Sequence, residues 1–328
     1  MPVIPTSSEI KRAAAILRAG GLVAFPTETV YGLGADAGNP AAVAKIFTAK
    51  GRPQDHPLIV HVGSMALLPL WAGEIPASAH KLAAAFWPGP LTLILKRAAG
   101  VSDCVTGGQD SVGLRIPRHP VALELLQAFA GKADGRAFSG IAAPSANKFG
   151  RISPTTAEHV CAELGAAVDA VLDGGDCEVG IESTIVDLSR GRAVLLRPGQ
   201  ITSAQIAAVL GAEVELPDAA APRAPGTLES HYAPRTPLYL VLAAELPGRL
   251  TALRGRKIAV LARAEAPSGL QDVHWQAAPR AVAGYAHELY ASLRRLDDLG
   301  CELILVEAPP AVPEWQGVND RLRRASSN

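Results

Sequence analysis

Lys50-Gly51-Arg52-Pro53, with His56-Pro57-Leu58-Ile59-Val60-His61 close behind, is the stretch on which the reading of this chain turns. It follows the helix-like run Ala41–Ala49, which Asn39-Pro40 opens as an N-cap and a first-position proline. A Lys and an Arg two apart do not share one helix face. With Gly between them and Pro after, they fit a tight turn that aims two cations into one space, beside the apolar strand Leu58–Val62. Two cations on such a turn suit the gripping of a polyanion. Alone, a K-x-R is more often a solvated basic loop, so the rest of the chain has to decide.

Outward from that turn, helices and strands alternate. Thr6-Ser7-Ser8-Glu9 fits a capping box, Ile10, Ala13, Ala14 and Leu17 follow helical spacing, and Gly20-Gly21 ends the helix. Leu22–Phe25, Leu91–Leu95, Val112–Ile116, Phe138–Ala143, Ala170–Asp173, Thr184–Leu188 and Ala193–Arg197 read as strands. Helices are expected over Ala77–Trp87, Val121–Ala130 and Pro154–Leu164, and from the capping box Thr202–Gln205 to Gly211. Residues 213–237 are rich in Pro and Ala and read as a semi-extended linker. Beyond it, strands Leu238–Leu242, Lys257–Ala262 and Leu303–Glu307, with a helix Arg280–Leu299, predict a small α/β unit with a largely parallel sheet. The expected division is therefore 1–212, linker 213–237 and 238–328.

The 328 residues carry 31 Lys+Arg against 31 Asp+Glu, so any basic site must be local and bulk coating of nucleic acid is disfavoured. Cys104, Cys161, Cys177 and Cys301 are scattered, with neither a zinc pattern nor a disulfide framework. No histidine pair has metal spacing, and no metal site is expected. There is no membrane-length apolar run and no signal-peptide pattern, so a soluble cytoplasmic protein is expected. P-loop, G-x-G-x-x-G and G-x-S-x-G motifs are absent.

Five polar segments interrupt the apolar pattern of residues 1–212. Pro26–Gly34 puts hydroxyls directly after a strand, where α/β sheets place ligands. Lys50–His61 is the second. Ser111–Pro117 buries Arg115 in an apolar strand, where it must meet an anion, either a ligand or a structural carboxylate. Ala142–Pro154 joins a strand to a helix and is dense in small donors, a plausible phosphate site or an ordinary Asx/Ser turn. Glu182-Ser183-Thr184 with Arg197-Pro198-Gly199 is the fifth.

Together these segments resemble the two-domain form of the threonylcarbamoyl-AMP synthase family. The resemblance is carried in order by Phe25–Gly34, Lys50-Gly51-Arg52-Pro53, Pro57–His61, Pro144-Ser145-Ala146-Asn147, Glu182–Asp187, Leu196-Arg197-Pro198-Gly199, Pro225-Gly226 and His231-Tyr232-Ala233-Pro234. Thr227-Leu228-Glu229-Ser230 departs from it, where a Met and basic residues are the pattern. The resemblance implies an α/β fold: a twisted open mixed sheet with a concave basic face (YrdC-like), plus a smaller Rossmann-like α/β domain. It implies synthesis of threonylcarbamoyl-AMP and pyrophosphate from L-threonine, bicarbonate or CO2, and ATP, the last with Mg2+. The product would pass to the tRNA threonylcarbamoyl transferase machinery.

The same resemblance implies the site. Lys50, Arg52, Ser145 and Asn147 would surround the phosphates and the reacting carbamate. Thr29, His61, Arg115, Ala143 and Ser183 would take threonine, with Arg115 on its carboxylate. Arg52, His56, Ser111, Ser145, Ser153, Arg197 and Tyr232 would contact ATP, with the linker folded over the site. An RNA-binding module without adenylate-forming activity is the alternative from another class. An enzyme acting on carbamoyl phosphate is a third reading, which the missing acylphosphatase-like and zinc-finger segments disfavour.

Overall fold

The computed structural model describes residues 5–130, 139–228 and 230–327. Among them, nine strands build the larger sheet: β1 (Val23–Phe25), β2 (Gly32–Asp36), β3 (Ile59–His61), β4 (Leu91–Lys96), β5 (Ser111–Arg115), β6 (Ile141–Ala142), β7 (Ala170–Val171), β8 (Thr184–Asp187) and β9 (Val194–Arg197). Their spatial order is β7-β1-β2-β6-β3-β5-β4-β8-β9. The sheet is mixed: β3 runs parallel to β5 and β4 to β8, whereas β1 and β2 are antiparallel, as are β4 and β5. The smaller sheet, β10 (Leu238–Val241), β11 (Ile258–Ala262), β12 (Val273–Ala277) and β13 (Leu303–Glu307), is parallel throughout in the order β10-β13-β11-β12.

Local chemistry sets the helices. Thr6 and Glu9 close a capping box at the start of Ser7–Arg18, which buries Ile10, Ala13, Ala14 and Leu17. Asn39 caps Pro40–Lys50, and Gly51 ends it in the left-handed conformation at φ 62°, which glycine adopts without steric cost. Thr202 and Gln205 cap Ser203–Leu210 as expected. The helix Val282–Asp297 buries Tyr285, Leu289, Tyr290, Leu293 and Leu296 on one face. Those side chains form a single apolar cluster with Val30, Ile152, Val179 and Ile181, so the helices of the smaller sheet pack directly on the larger unit.

Several expectations are corrected. β2 is a strand that the sequence reading does not include, since Gly32 and Gly34 fall in the polar segment Pro26–Gly34. In the sheet these glycines allow close approach: a Cβ on Gly34 would lie 2.8 Å from Ile141 Cγ2 and 2.9 Å from Phe25 Cε1. The segment Pro26–Tyr31 is thus a hairpin connection. The helix expected over Pro154–Leu164 begins at Ala157, capped by Thr156, because the Pro154 carbonyl accepts the Tyr31 N–H at 2.9 Å. The strand expected at Phe138–Ala143 covers Ile141–Ala142, and Phe138 lies outside the described residues. Leu246–Ala252, β12 and the helix Gln316–Ala325 were not anticipated. The last escaped because its buried face carries Asp320 and Arg321 beside Val318 and Leu322. The described residues of 213–237 form no helix or strand and touch the larger unit through isolated bridges, Glu215 to Val194 and Ala233 to Arg151.

Candidate active site

The hairpin connection after β1 is folded by one hydroxyl. Thr27 Oγ1 donates to the Val30 carbonyl at 2.6 Å and accepts the backbone N–H groups of Thr29 and Val30. It also shares a 2.7 Å hydrogen bond with the Thr29 hydroxyl. Side-chain hydroxyls commonly shape turns in this way. The loop delivers Thr27, Thr29 and Val30 to a small cavity of about 50 Å3. His61 and Arg115 reach it side by side from neighbouring parallel strands. Ala143, Pro144 and Ser145 line it after β6, Glu182 and Ser183 before β8, and Arg197 at the end of β9. The linker closes the cavity with Pro225, Gly226, His231 and Tyr232.

Charge inside this enclosure is arranged unevenly. Arg115 is matched: its Nη2 donates to Glu28 Oε1 at 2.7 Å, and Glu28 Oε2 also accepts the Arg118 N–H at 3.0 Å. Burial would push the Glu28 carboxyl up, but Arg115 holds it below its ordinary value. Arg52 and Arg197 are buried and form no ion pair with a carboxylate among the described residues. Arg52 Nη2 donates to the Pro57 carbonyl at 3.1 Å, its Nε has no partner, and its guanidinium lies 5.7 Å from the Phe149 ring centre. Burial lowers its pKa to about 10. Arg197 donates to the Ser183 carbonyl at 3.0 Å, the Ser183 hydroxyl at 3.1 Å and the Pro225 carbonyl at 2.8 Å. Burial first, then Arg115, brings His61 down to about 3, so this imidazole is neutral at pH 7, and its Nδ1 is unpartnered.

Of the residues singled out from the sequence, Thr29, Arg52, His61, Arg115, Ala143, Ser145, Ser183, Arg197 and Tyr232 line this one cavity. Five do not. Lys50 lies beneath the floor, its Nζ donating to the carbonyls of Ser145, at 2.6 Å, and Asn147. Burial drives its pKa well down. Asn147 is buried as well: its Nδ2 ties the Lys148 and Arg151 carbonyls, and its Oδ1 is unpartnered. The Ser153 hydroxyl is committed to Glu182 Oε1 at 2.5 Å. His56 packs its ring edge against Phe149, with centres 5.4 Å apart. Ser111 begins β5, whereas Arg115 ends it, so it opens into a separate cleft shared with Arg97, Arg190 and Pro222. The first turn of Ala157–Leu164 is absent from the cavity lining, so the N-terminus of that helix does not reach it.

Thr27, Glu182 and His231 also line the cavity and Glu28 holds Arg115, four residues beyond those the sequence reading names for the site. Glu28 and Glu182 carried a usable signal: each is a lone carboxylate beside an apolar strand, and Arg115 had already been read as needing an anion. Among the described residues no group of three His, Cys, Asp or Glu side chains could hold a metal ion, and no helix is long and apolar enough to cross a membrane.

Two family models match the chain. One, described as Telomere recombination and covering the Sua5, YciO and YrdC proteins, spans residues 15–199. The other, described as Threonylcarbamoyl-AMP synthase, C-terminal domain, spans residues 201–327. The threonylcarbamoyl-AMP synthase of Pyrococcus abyssi is 38% identical, covering 97% of this chain and 94% of its own length. That of Bacillus subtilis is 40% identical, covering 97% and 93%. The crystal structure of P. abyssi Sua5 complexed with L-threonine superposes with a TM-score of 0.88 at 37% identity, covering 98% of this chain and 95% of that one.

Proposed function

The chain belongs to the two-domain threonylcarbamoyl-AMP synthase family, and we propose that it makes threonylcarbamoyl-AMP and pyrophosphate from L-threonine, bicarbonate or CO2, and ATP. The threonine amine adds to CO2 with loss of a proton, or condenses with bicarbonate with loss of water, to form a carbamate. A carbamate oxygen then attacks the α-phosphorus, and the bond to pyrophosphate breaks. Neither step needs a covalent protein nucleophile. Both need alignment and stabilisation of negative charge.

The observation that carries this reading is a pair of buried arginines, Arg52 and Arg197, that face the cavity with no carboxylate partner among the described residues. Buried cations left unmatched are costly, and a triphosphate would match them. Ser145 would contact the same phosphates. Lys50 and Asn147 support them from below by fixing the loop that carries Ser145. Arg115 would take the threonine carboxylate with the donors that Glu28 leaves open, and Thr29, neutral His61, Ala143 and Ser183 the remainder of the amino acid. L-threonine is the ligand of the P. abyssi structure.

A cavity of about 50 Å3 is too small for a nucleotide, since small-molecule sites run to roughly 300–1,000 Å3. Ala220 and Pro222 of the linker line the Ser111 cleft, and Pro225 and Gly226 line the cavity. Lifting this partition merges the two spaces, which brings Ser111 within reach of ATP and lets Tyr232 close over the products. Such a lid shields a labile carbamate and mixed anhydride from water. On this reading residues 1–212 are the catalytic unit, 213–237 the lid and 238–328 its support. Mg2+ enters as the ATP chelate, and the product leaves for tRNA modification in the cytoplasm. Labelled bicarbonate with L-threonine and ATP tests the proposal: pyrophosphate and acyl-adenylate should form in equal amounts and only with threonine. RNA binding without pyrophosphate release would overturn it.

A further inference from the structure

We infer that Arg321, in the helix Gln316–Ala325, is a positioning residue for this reaction: it fixes Glu182 in the wall and Tyr232 in the roof of the cavity, and so gives the second domain its part in catalysis. The inference rests on the synthase reading above. Arg321 is fully buried and does not itself line the cavity. Its Nε donates to Glu182 Oε2 at 2.7 Å and its Nη2 to the Glu182 carbonyl at 3.2 Å. Its Nη1 reaches the Pro198 carbonyl at 3.0 Å and Asp320 at 2.8 Å. The planar guanidinium fork thus clamps both ends of Glu182 and the turn after β9.

The second domain supplies most of what holds this carboxylate. Tyr290 donates to the same Oε2 at 3.0 Å, leaving Ser153 as the partner from the catalytic unit. Burial would push the Glu182 carboxyl up, yet Arg321, then Arg197, hold it at about 2. Arg321 and Tyr290 touch it, and Arg197, Tyr232, His231 and Lys50 are the further titratable groups near enough to feel its charge. Its negative charge also acts on Arg197, with which it forms no ion pair, and so tempers one of the two cavity arginines.

The roof depends on the same helix. Tyr232 sits at φ 63°, a left-handed conformation that residues with a Cβ hold only with outside support. Its hydroxyl has no partner and presses on Gly226, where an added Cβ would lie 2.0 Å away. The Tyr232 ring is held by Arg321 at 5.4 Å and by Tyr290 at 5.7 Å. The preceding His231 N–H donates to the Arg324 carbonyl at 3.0 Å.

The test compares Arg321→Met and Arg321→Lys with the unmodified protein in threonine-dependent pyrophosphate release across pH. Arg321→Met should lose about 10–100-fold in kcat, the size of loss found when partners that orient metal ligands are removed in other enzymes. It should also move the acid limb of the profile up by about 1–3 units, because the Glu182 carboxylate loses its strongest cation. Arg321→Lys should recover most of that shift, and adding Glu182→Gln to Arg321→Met should abolish it. A plain interdomain bolt would lower Tm and leave the profile unmoved, and that result in the folded variants overturns the inference. Should Arg321→Met fail to fold, Arg321→Lys decides, since it keeps the charge and loses the fork: a fall in kcat sustains the inference, and an unchanged kcat with a lowered Tm overturns it. An inactive unmodified protein would instead refute the synthase reading.

Discussion

In the larger sheet His61 and Arg115 stand paired across β3 and β5, both buried, with Arg52 and Arg197 buried around them and free of carboxylate partners among the described residues. In the smaller sheet β11 is apolar from end to end, and the buried charge at the end of β13, Glu307, is answered by Arg263 Nη2 at 2.5 Å. Both regions bury apolar strands at their centres, β3 and β5 in one and β11 and β13 in the other. They differ in whether their buried charges cancel. Where charges cancel locally, the fold is self-sufficient. Where cations remain unmatched, the enclosure is prepared for an anion that the protein does not supply.

The sharpest way to break this contrast is to create an unmatched charge where a match exists. Glu28→Gln leaves Arg115 buried without its carboxylate and should cost about 3–5 kcal/mol in urea unfolding. A loss below about 1 kcal/mol would mean that Arg115 never needed it. Arg52→Ala removes an unmatched cation, so folding should be intact while turnover falls by about 10²–10³, or roughly 2.7–4 kcal/mol of barrier. Near-normal pyrophosphate release by that variant would remove Arg52 from the chemistry.

Acid should weaken the cavity region through its histidines. Burial is the main cause that brings both His61 and His231 down to about 3, whereas the unfolded chain titrates near 6.5. Between those values the unfolded state binds more protons. The stabilisation is therefore complete above about pH 6.5 and falls by about 1.4 kcal/mol per unit for each histidine as pH drops toward 3. Denaturation series at pH 7.5, 6 and 5 should show this fall, and His61→Phe should reduce it. The smallest effect belongs to the far region: Arg256→Ala breaks a half-exposed, solvent-screened pair with Glu302, 2.7 Å apart, and should leave the denaturation midpoint unchanged.

Much of this was legible from local signals. Capping boxes at Thr6 and Thr202 and the Gly51 turn need only neighbouring residues to act, so the helix ends fell where expected. Arg115 was recognisable as a group in need of an anion, because any cation in an apolar strand has that need. Whether the anion was Glu28 or a ligand depended on a contact 87 residues away in sequence.

The alternation of elements, the composition break at 213–237 and the family are all readable without coordinates, because periodicity, caps and ordered motifs are short-range properties of the chain. Long-range packing makes Gly32–Asp36 a strand, puts Lys50 below the site, opens Ser111 elsewhere and brings Arg321 to Glu182. Each of these depends on which distant groups meet in a water-excluded space. There the cost of an unpaired charge or a crowded Cβ is set by the whole packing and by no local stretch of residues.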